Sequence, residues 1–498
     1  MLALSFPRYG HAAVVFIAVA PLLVALSGWR GRPGHCPGIP ARRAFALGVL
    51  AGAVHYAGTV YWAGATVHTY GGLSWPVAVI VTGLLVLYMS LFVGLASAAI
   101  AALVQRFGLR GLWLAPAAWV AAEYARAHLF GGFPWIPVGS AVVTLLPVAQ
   151  LASLVGVFGL SAFLVALNVA VVVAAVGEPR SRLAAGVAGV IALATVSVWG
   201  GARLAASPLA REGQALTVAL VQGNVPQEEK WDPARAPAIV ERYLTMTRDA
   251  AARGADLVVW PESATPFFFD EDPAGASQIR SVVRDVGVPL LFGTDEVLRG
   301  SPPRYYNSAF MLDVAGATAA VYRKIHLVPF GEYVPFKRLL FFVAPLVEAV
   351  ADFSPGTTVT MLPVAGHMAS TAICYEIVYP HLIRRGVLAG AEMLTTITND
   401  AWYGSTSAPH QHFEQAAMRA IENGRYLARA ANTGISGVID PYGRVVARSG
   451  LFETTVVMGE VRPIRALTVY ARIGDLVAEL SVLLTLVALG AALWRRPW

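Results

Sequence analysis

The chain has 498 residues, of which 56% are hydrophobic and only 13% are charged. Soluble domains have about 45–50% apolar and about 25% charged residues, so the composition indicates an integral membrane protein and excludes a disordered chain, a collagen-like fibre and a disulfide-stapled scaffold. The net charge is +7, but the segment from Arg211 to Arg465 holds 23 Lys and Arg against 26 Asp and Glu, while the rest holds 14 against 4. The excess of basic residues therefore lies in the apolar part of the chain. It does not indicate a basic surface that binds nucleic acid.

Apolar runs of roughly 20 residues, the length that crosses a bilayer, predict seven spans, at about 11–28, 43–63, 75–104, 111–129, 151–176, 183–203 and 476–494. Arginines follow the first, third, fifth and seventh runs, and the positive-inside rule makes those loops cytoplasmic. The hydrophilic segment after Arg203 is then expected to face outward. The same pattern places Met1 outside, so we expect either an outward N-terminus or, as the favoured interpretation, a further span upstream.

Two ionisable residues lie within the fourth apolar run. Glu123 and Arg126 are three residues apart and share one helical face. Because ionisable groups inside a membrane are costly unless they are partnered, we expect a structural ion pair, with a functional role as the alternative.

Short β-rich runs alternate with helical stretches after the sixth span, which predicts a layered α/β domain. The candidate strands are 216–222, 257–260, 290–293, 308–313, 368–374, 393–398 and 437–440, and the candidate helices are about 236–253, 277–286 and 410–430. We therefore divide the chain into a helical membrane domain of about six spans at 1–206, an outward domain at 207–470, and a final span with a short basic cytoplasmic tail at 471–498.

Cysteine usage gives the first chemical indication. Cys36 lies in a predicted cytoplasmic loop and Cys374 in the outward domain, so the two thiols cannot pair. A lone thiol in an oxidising compartment is a liability unless it is buried or used. The pattern alone leaves both interpretations of Cys374 open.

Polar residues follow several of the predicted strands. Glu262 comes after an apolar strand and Pro261, and Glu376 comes two residues after Cys374. Lys324 is one of only three lysines in a chain that otherwise uses arginine. Strand ends in α/β domains are where sites are usually built, although a surface lysine or a capping carboxylate would account for each residue taken alone.

Five ordered motifs resemble those of the bacterial apolipoprotein N-acyltransferases. They are QGNVPQ at 222–227 with KW at 230–231, WPES at 260–263, Lys324 ahead of HLVPFGE at 326–332, CYE at 374–376, and NDAWYG at 399–404. The arrangement of spans and the GGFPW loop at 131–135 are also similar. The resemblance implies a multi-span α-helical membrane domain plus an extracytoplasmic α/β nitrilase-like αββα sandwich, on the periplasmic side of the bacterial inner membrane. The family typically has one more span than the seven predicted here.

The resemblance also implies a catalytic triad of Glu262, Lys324 and Cys374. In such a triad the thiolate is the nucleophile, the glutamate is the general base, and the lysine stabilises the oxyanion. Glu332 and Glu376 are similar to family positions that orient the lysine and the thiol, with an ordinary carboxylate paired to an arginine as the alternative. Residues near the acyl or head-group site are implied to be aromatic: Trp231, Tyr375, Trp402 and, with plain packing equally expected, Tyr403.

The family reaction is a two-step acyl transfer. A phospholipid, with phosphatidylethanolamine as the expected donor, acylates the cysteine, and the α-amine of a diacylglyceryl-cysteine apolipoprotein then takes the acyl group. No cofactor and no metal are implied. His410 and His412 are a poor metal pair, because residues two apart on a helix do not face each other.

The apolar stretch 336–353 is too short to span a membrane. We interpret it as an arm that inserts into the lipid and controls the entry of the lipid substrate, with a core helix as the alternative.

Three rival functions stay open. They are a membrane-tethered nitrilase-type amidase or hydrolase that uses water as the second nucleophile, a transporter or sensor whose outward domain only binds its ligand, and an acyltransferase with another donor.

Overall fold

The computed structural model describes residues 1–211, 213–333 and 352–494. The chain forms two compact units. One consists of Met1–Ala206 with Thr468–Trp498, and the other is Ser207–Leu467. The assignment of these parts to the membrane and to the periplasm stays a prediction.

The first unit is helical. Its main helices are Val15–Ala18, Ala20–Ser27, Ala41–Thr59, Trp62–Thr69, Trp75–Phe107, Ala115–His128, Leu146–Ala149, Ala152–Val176, Pro179–Ala206, Val469–Ile473 and Leu476–Trp494. Within the described residues, four helical stretches are long and apolar enough to cross a membrane: Trp75–Gly131, Ala152–Val176, Pro179–Arg211 and Leu476–Trp494. A bent pair, Ala41–Thr59 and Trp62–Thr69, makes a fifth if it counts as one span.

The number of spans stays a prediction, because the stretch Trp75–Gly131 contains two separate helices, Trp75–Phe107 and Ala115–His128. The runs at 75–104 and 111–129 fall within the single stretch Trp75–Gly131. The run at 11–28 falls on Ala12–Ser27, which is apolar but shorter than the roughly 20 residues that a bilayer requires.

Glu123 and Arg126 bind the backbone of one loop instead of forming the expected ion pair with each other. Nη1 of Arg126 donates to the carbonyl oxygens of Phe133 at 2.7 Å and Trp135 at 2.9 Å. Oε1 of Glu123 accepts the N–H of Val138 at 2.8 Å. Backbone groups of residues 133–138 thus provide part of the hydrogen bonding of these buried side chains, and the indole N–H of Trp119 adds a bond to Oε1 of Glu123 at 3.1 Å.

The second unit contains two six-stranded sheets within the described residues. The strands are β1 (Leu216–Gln222), β2 (Leu257–Val259), β3 (Leu290–Leu298), β4 (Arg304–Leu312), β5 (Thr318–Arg323), β6 (Met361–Val364), β7 (His367–Ile373), β8 (Met393–Thr398), β9 (Leu427–Ala431), β10 (Gly437–Ile439), β11 (Val445–Arg448) and β12 (Thr455–Val461). The sheet orders are β12-β1-β2-β3-β4-β5 and β11-β10-β9-β8-β7-β6. Each sheet has a parallel centre, β1-β2-β3 or β7-β8-β9.

Strands of one sheet contact strands of the other, as in β1 with β9 and β4 with β7, so the sheets form a sandwich. Within the described residues, this unit has four α-helices: Ala236–Ala252, Pro273–Val286, Pro380–Leu388 and Ala408–Asn423. The first two pack on the first sheet, where Tyr243 and Ile279 join Trp260, Phe292 and Phe310 in a buried cluster. Burying each such side chain contributes about 1.5–3 kcal/mol. The layered α/β prediction is confirmed.

The predicted C-terminal end of one helix was wrong. The sequence pattern predicted a helix over 410–430, whereas the helix Ala408–Asn423 stops at Gly424, which has φ +61°. A left-handed glycine is a common helix terminator, and the chain then enters the buried strand β9.

Candidate active site

Glu262 is delivered by the end of β2. Trp260 anchors this turn because its buried indole N–H donates to Oγ1 of Thr247 at 2.9 Å. The neighbouring strand approaches so closely that a Cβ on Gly293 would lie 2.6 Å from Cα of Glu262. Only glycine fits there, and its N–H and C=O bind Pro261 and Ala264. The backbone that carries Glu262 is thus held on both sides.

Both oxygens of the Glu262 carboxylate have partners from other elements. Oε1 accepts from Nδ2 of Asn307 at 2.7 Å and from Nζ of Lys324 at 3.3 Å. Oε2 accepts the backbone N–H of Asn399 at 2.8 Å. Burial would raise the pKa of Glu262, but Lys324, Asn307 and the ammonium of Lys230 together hold that pKa below its usual range.

Lys324 follows β5 and is 1% exposed. Its Nζ donates to Oε1 of Glu332 at 2.9 Å, which is closer than its contact with Glu262. Burial would lower the pKa of Lys324, but the two carboxylates, Glu332 foremost, raise it well above its usual value. The ammonium is therefore charged at any physiological pH.

Glu332 is fixed independently of the lysine. Its Oε1 also accepts from Nδ2 of Asn307 at 2.9 Å, and its Oε2 accepts the N–H of Val328 at 2.7 Å. The loop that carries Glu332 thus folds back on itself and presents the carboxylate to Lys324. This geometry is consistent with the predicted orienting role of Glu332.

Cys374 is the first residue after β7 and begins the short 3-10 helix Cys374–Val378. It is 6% exposed and has φ +52°, a left-handed conformation that L residues seldom adopt. Burial raises the pKa of its thiol strongly, the charge of Glu262 raises it further, and Lys324 opposes the change. Both pKa directions favour a neutral thiol and an ionised Glu262 in the resting enzyme.

Glu376 ties the two strand ends together. One oxygen accepts the N–H groups of Ile325 at 2.7 Å and His326 at 3.0 Å, and the other accepts the N–H of Ile373 at 2.8 Å. The hydroxyl of Tyr322 donates to both oxygens at 2.8 and 2.9 Å. Glu376 is completely buried and does not pair with an arginine in the described contacts, so the alternative in which it did is wrong.

The predicted aromatic residues divide by exposure. Trp231 and Trp402 are 45% and 37% exposed, which leaves part of each ring accessible to a ligand. Tyr375 is buried, and its ring packs against those of His326 and Tyr379. The proposed arm at 336–353 lies outside the described residues, apart from its last two.

Sequence reasoning gave no role to several polar residues of this site. Asn307 bridges two carboxylates from the middle of β4, and Asn399 binds Glu262 through its N–H. Lys230 is buried and donates to the carbonyl oxygen of Glu262 at 3.2 Å. The available signals were the KW motif and the scarcity of lysine for Lys230, and the NDAWYG motif for Asn399. Burial lowers the pKa of Lys230 to about 8 and raises that of nearby Asp295 to about 6.

Comparison with known proteins gives two family matches. Residues 217–466 match the family described as carbon-nitrogen hydrolase, and residues 1–170 match the one described as apolipoprotein N-acyltransferase N-terminal domain. The apolipoprotein N-acyltransferase of Geobacter metallireducens is 40% identical over 96% of this chain and 90% of its own length. That of Methylococcus capsulatus is 35% identical, over 95% and 91% respectively. The chain belongs to the apolipoprotein N-acyltransferase family.

This member of the apolipoprotein N-acyltransferase family is thus an acyltransferase enzyme with a nitrilase-fold domain, and its apolar helices make it a bacterial membrane protein. Among solved structures, a mutant of the amidase from Nesterenkonia sp. AN1, of the nitrilase superfamily, is similar at 22% identity. That match has a TM-score of 0.42 and covers 55% of this chain and 98% of the amidase.

Proposed function

We propose that this chain moves an acyl group from a phospholipid to the α-amine of a diacylglyceryl-cysteine apolipoprotein through a thioester on Cys374. The observation that carries the proposal is the placement of an ionised Glu262, held by Lys324 and Asn307, within electrostatic reach of the buried Cys374 thiol. Family membership supports the lipoprotein as acceptor. Phosphatidylethanolamine as donor, an inner-membrane location and a periplasmic catalytic unit are parts of the same proposal.

In the first half-reaction, Glu262 takes the thiol proton while the sulfur attacks the ester carbonyl of the lipid. The carbonyl π pair moves to oxygen, and the ammonium of Lys324 stabilises the resulting oxyanion. Collapse re-forms the C=O bond and breaks the ester C–O bond. The lysophospholipid alkoxide leaves with the proton from Glu262, so the acid-base group returns to its ionised form.

In the second half-reaction, the neutral α-amine attacks the thioester carbonyl. Glu262 accepts a proton from the attacking nitrogen, the C–S bond breaks, and the proton goes to the leaving sulfur. The products are an amide and the resting thiol. Amines attack thioesters readily. A thioester therefore suits an enzyme that must retain an acyl group after one bulky substrate leaves and before the next one binds.

The protonation states of Cys374 and Glu262 keep the thiol unreactive until a substrate binds. The pKa of the thiol is raised by burial and by Glu262, and the pKa of Glu262 is lowered by its cationic neighbours. Proton transfer from sulfur to Glu262 is therefore uphill until a carbonyl group is in place to accept the sulfur's electrons. Alkylation and oxidation of such a thiol are slow but still measurable, because only a small fraction of it is ionised.

Intact mass of the detergent-purified full chain tests the proposal. Incubation with phosphatidylethanolamine is expected to add one acyl group, which then moves to the amine of a diacylglyceryl-cysteine peptide. Cys374→Ala should form no adduct, and Cys36→Ala, which removes the other thiol, should behave as wild type. An adduct that is lost to water and ignored by the peptide would favour the hydrolase. No adduct in the wild type would contradict the thioester.

A further inference from the structure

Four buried polar side chains form a ring of contacts that closes through Cys374, and no step of the proposed reaction uses these side chains. Its members are Thr398 at the end of β8, Asp400 just after it, His412 on the helix Ala408–Asn423, and Arg429 on β9. Each is at most 1% exposed. Four polar residues so deeply buried require a reason beyond solubility, because each carries a desolvation cost.

His412 contacts the nucleophile's own backbone. Its Nε2 lies 3.1 Å from the carbonyl oxygen of Cys374, and because a carbonyl oxygen only accepts, Nε2 carries a proton and donates. Nδ1 lies 3.0 Å from Nη2 of Arg429, which only donates, and also 3.0 Å from Oδ1 of Asp400. A neutral imidazole with its proton on Nε2 satisfies the contacts with Cys374 and Arg429 together, whereas donation from Nδ1 to Asp400 would require the imidazolium form. Burial and the charge of Arg429 lower the pKa of His412, which favours this neutral form.

Thr398 contacts the other side of the nucleophile. Its hydroxyl donates to Oδ1 of Asp400 at 2.9 Å, and its side chain is hydrogen-bonded to the Cys374 thiol. A hydroxyl that donates to Asp400 can accept S–H from the neutral thiol, and the same hydroxyl can donate to the thiolate when it turns toward the sulfur. Oδ2 of Asp400 accepts from Nη2 of Arg429 at 2.8 Å, which closes the ring.

We propose that Thr398 and His412 are positioning residues for Cys374, joined through Asp400 and Arg429. His412 holds the Cys374 carbonyl and so maintains the left-handed turn that aims the sulfur. When Glu262 takes the thiol proton, the hydroxyl of Thr398 rotates from Asp400 to the sulfur and donates to it, while Asp400 keeps its contact with Arg429. No covalent bond of Thr398 changes. This inference rests on the proposed role of Cys374 as nucleophile.

Several charged groups act on the same thiol, so its pH behaviour belongs to the whole cluster. Glu262 and Asp400 disfavour the thiolate, and Lys324 favours it. Lys230 and Tyr403 also interact with it electrostatically. The test therefore compares variants that differ by one hydroxyl or one methylene and leave every charge in place.

The first measurement is thiol alkylation by iodoacetamide against pH, followed by intact mass on the full chain in detergent. A Cys36→Ser background leaves one thiol. Thr398→Val keeps the shape but cannot donate to sulfur, so we expect alkylation at pH 8 to slow by about 10- to 100-fold, the effect of losing one hydrogen bond to a charged group. The profile should also move to higher pH. Thr398→Ser should restore the parent profile, and identical profiles for Val and Ser would overturn the role of Thr398.

The second measurement is the rate of thioester formation with phosphatidylethanolamine. The side-chain amide of His412→Gln can reach the Cys374 carbonyl, whereas that of His412→Asn is one methylene short. We expect the Gln variant to retain most of the rate and the Asn variant to lose about tenfold. Equal rates in Gln and Asn variants that melt at the same temperature would overturn the role of His412.

The two measurements separate this inference from the proposed function. If the wild type forms no thioester although alkylation depends on Thr398, the acyl-transfer proposal fails and the ring stands. If the thioester forms normally but Thr398→Val alkylates like the parent, the ring fails and acyl transfer stands.

Discussion

Nδ2 of Asn307 lies 2.7 Å from Oε1 of Glu262. The same amide group donates to Glu332 at 2.9 Å, and Lys324 contacts the same two carboxylate oxygens. Two anions are thus bridged by one neutral donor and one cation. The proposed base, Glu262, therefore belongs to a cluster of four side chains that fixes its position and its pKa. Asn307 is the neutral member of that cluster.

Replacing that neutral member by a charge tests the cluster. Asn307→Asp would surround one ammonium with three carboxylates and raise the pKa of Glu262. Because Glu262 works as a base when ionised, the rise of thioester formation with pH should move to higher pH, and the rate at pH 7 should fall roughly 10- to 100-fold. Asn307→Ala should lose rate with a smaller shift. An unchanged pH profile in the Asp variant would remove Asn307 from the cluster.

Lys324→Arg is expected to be nearly inactive although it preserves the charge. The side chain is 1% exposed between Glu262 and Glu332, and a planar guanidinium cannot occupy the volume of an ammonium there. Loss of one oxyanion donor costs about 2.7–4 kcal/mol of barrier, so thioester formation should slow by at least about 100-fold. The Arg448→Lys exchange, at an exposed position of β11, is the control and should leave the rate unchanged. Wild-type turnover of Lys324→Arg would exclude the oxyanion role.

Glu376→Gln is expected to destabilise the catalytic unit. The carboxylate accepts three backbone N–H groups, and an amide replaces one acceptor oxygen by a donor that would face an N–H. Leaving a buried N–H without its acceptor costs about 1–3 kcal/mol, so the melting temperature should fall. Glu241→Gln, on an exposed helical face, provides the comparison. If both variants melt alike, Glu376 does not tie the strand ends together.

Asp295 is expected to make stability depend on pH. Burial raises its pKa to about 6, an effect that Lys230 opposes. The folded state then holds a proton that the unfolded chain releases, so this group stabilises the fold at low pH, and that contribution is lost as the pH rises through about 6. Asp295→Asn should therefore melt above the wild type at pH 7.5, and the difference should shrink toward pH 4. A difference that is constant with pH would contradict the assignment.

Trp231 tests the predicted substrate surface. Because the ring is 45% exposed, Trp231→Ala should leave the melting temperature nearly unchanged while it raises the phospholipid concentration needed for half-maximal thioester formation. Trp260→Ala removes a buried ring and is the contrasting case, with a loss of stability of about 3–5 kcal/mol expected. A Trp231 variant with unaltered lipid dependence would show that this ring does not meet the donor.

The sequence allowed candidate site residues to be named where a polar residue follows the end of a strand. Glu262, Lys324 and Cys374 each follow a strand directly or within a short turn, and family motifs cover all three. Asn307 was missed because the predicted strand began at 308, whereas β4 begins at Arg304 and buries Asn307 within it. Nothing in the local sequence says that its partner is 45 residues away.

Residues that act through their backbone or through long-range contacts were also beyond sequence reasoning. Asn399 binds Glu262 by an N–H, which no residue type encodes. His412 was considered with His410 as a possible metal pair, but its partners come from Cys374 and Arg429, on other elements. Glu123 and Arg126 were correctly recognised as buried polar residues, yet spacing alone could not reveal that both bind a loop instead of each other.

The order of the strands has a consequence for biosynthesis. β12, the last strand of the catalytic unit, pairs with β1, the first, so that Val461 lies opposite Leu216. A growing chain that has already acquired Glu262, Lys324 and Cys374 still lacks the strand that completes its first sheet. The enzyme is therefore expected to stay inert toward lipid throughout most of its translation and to become reactive only when the final segment closes the domain.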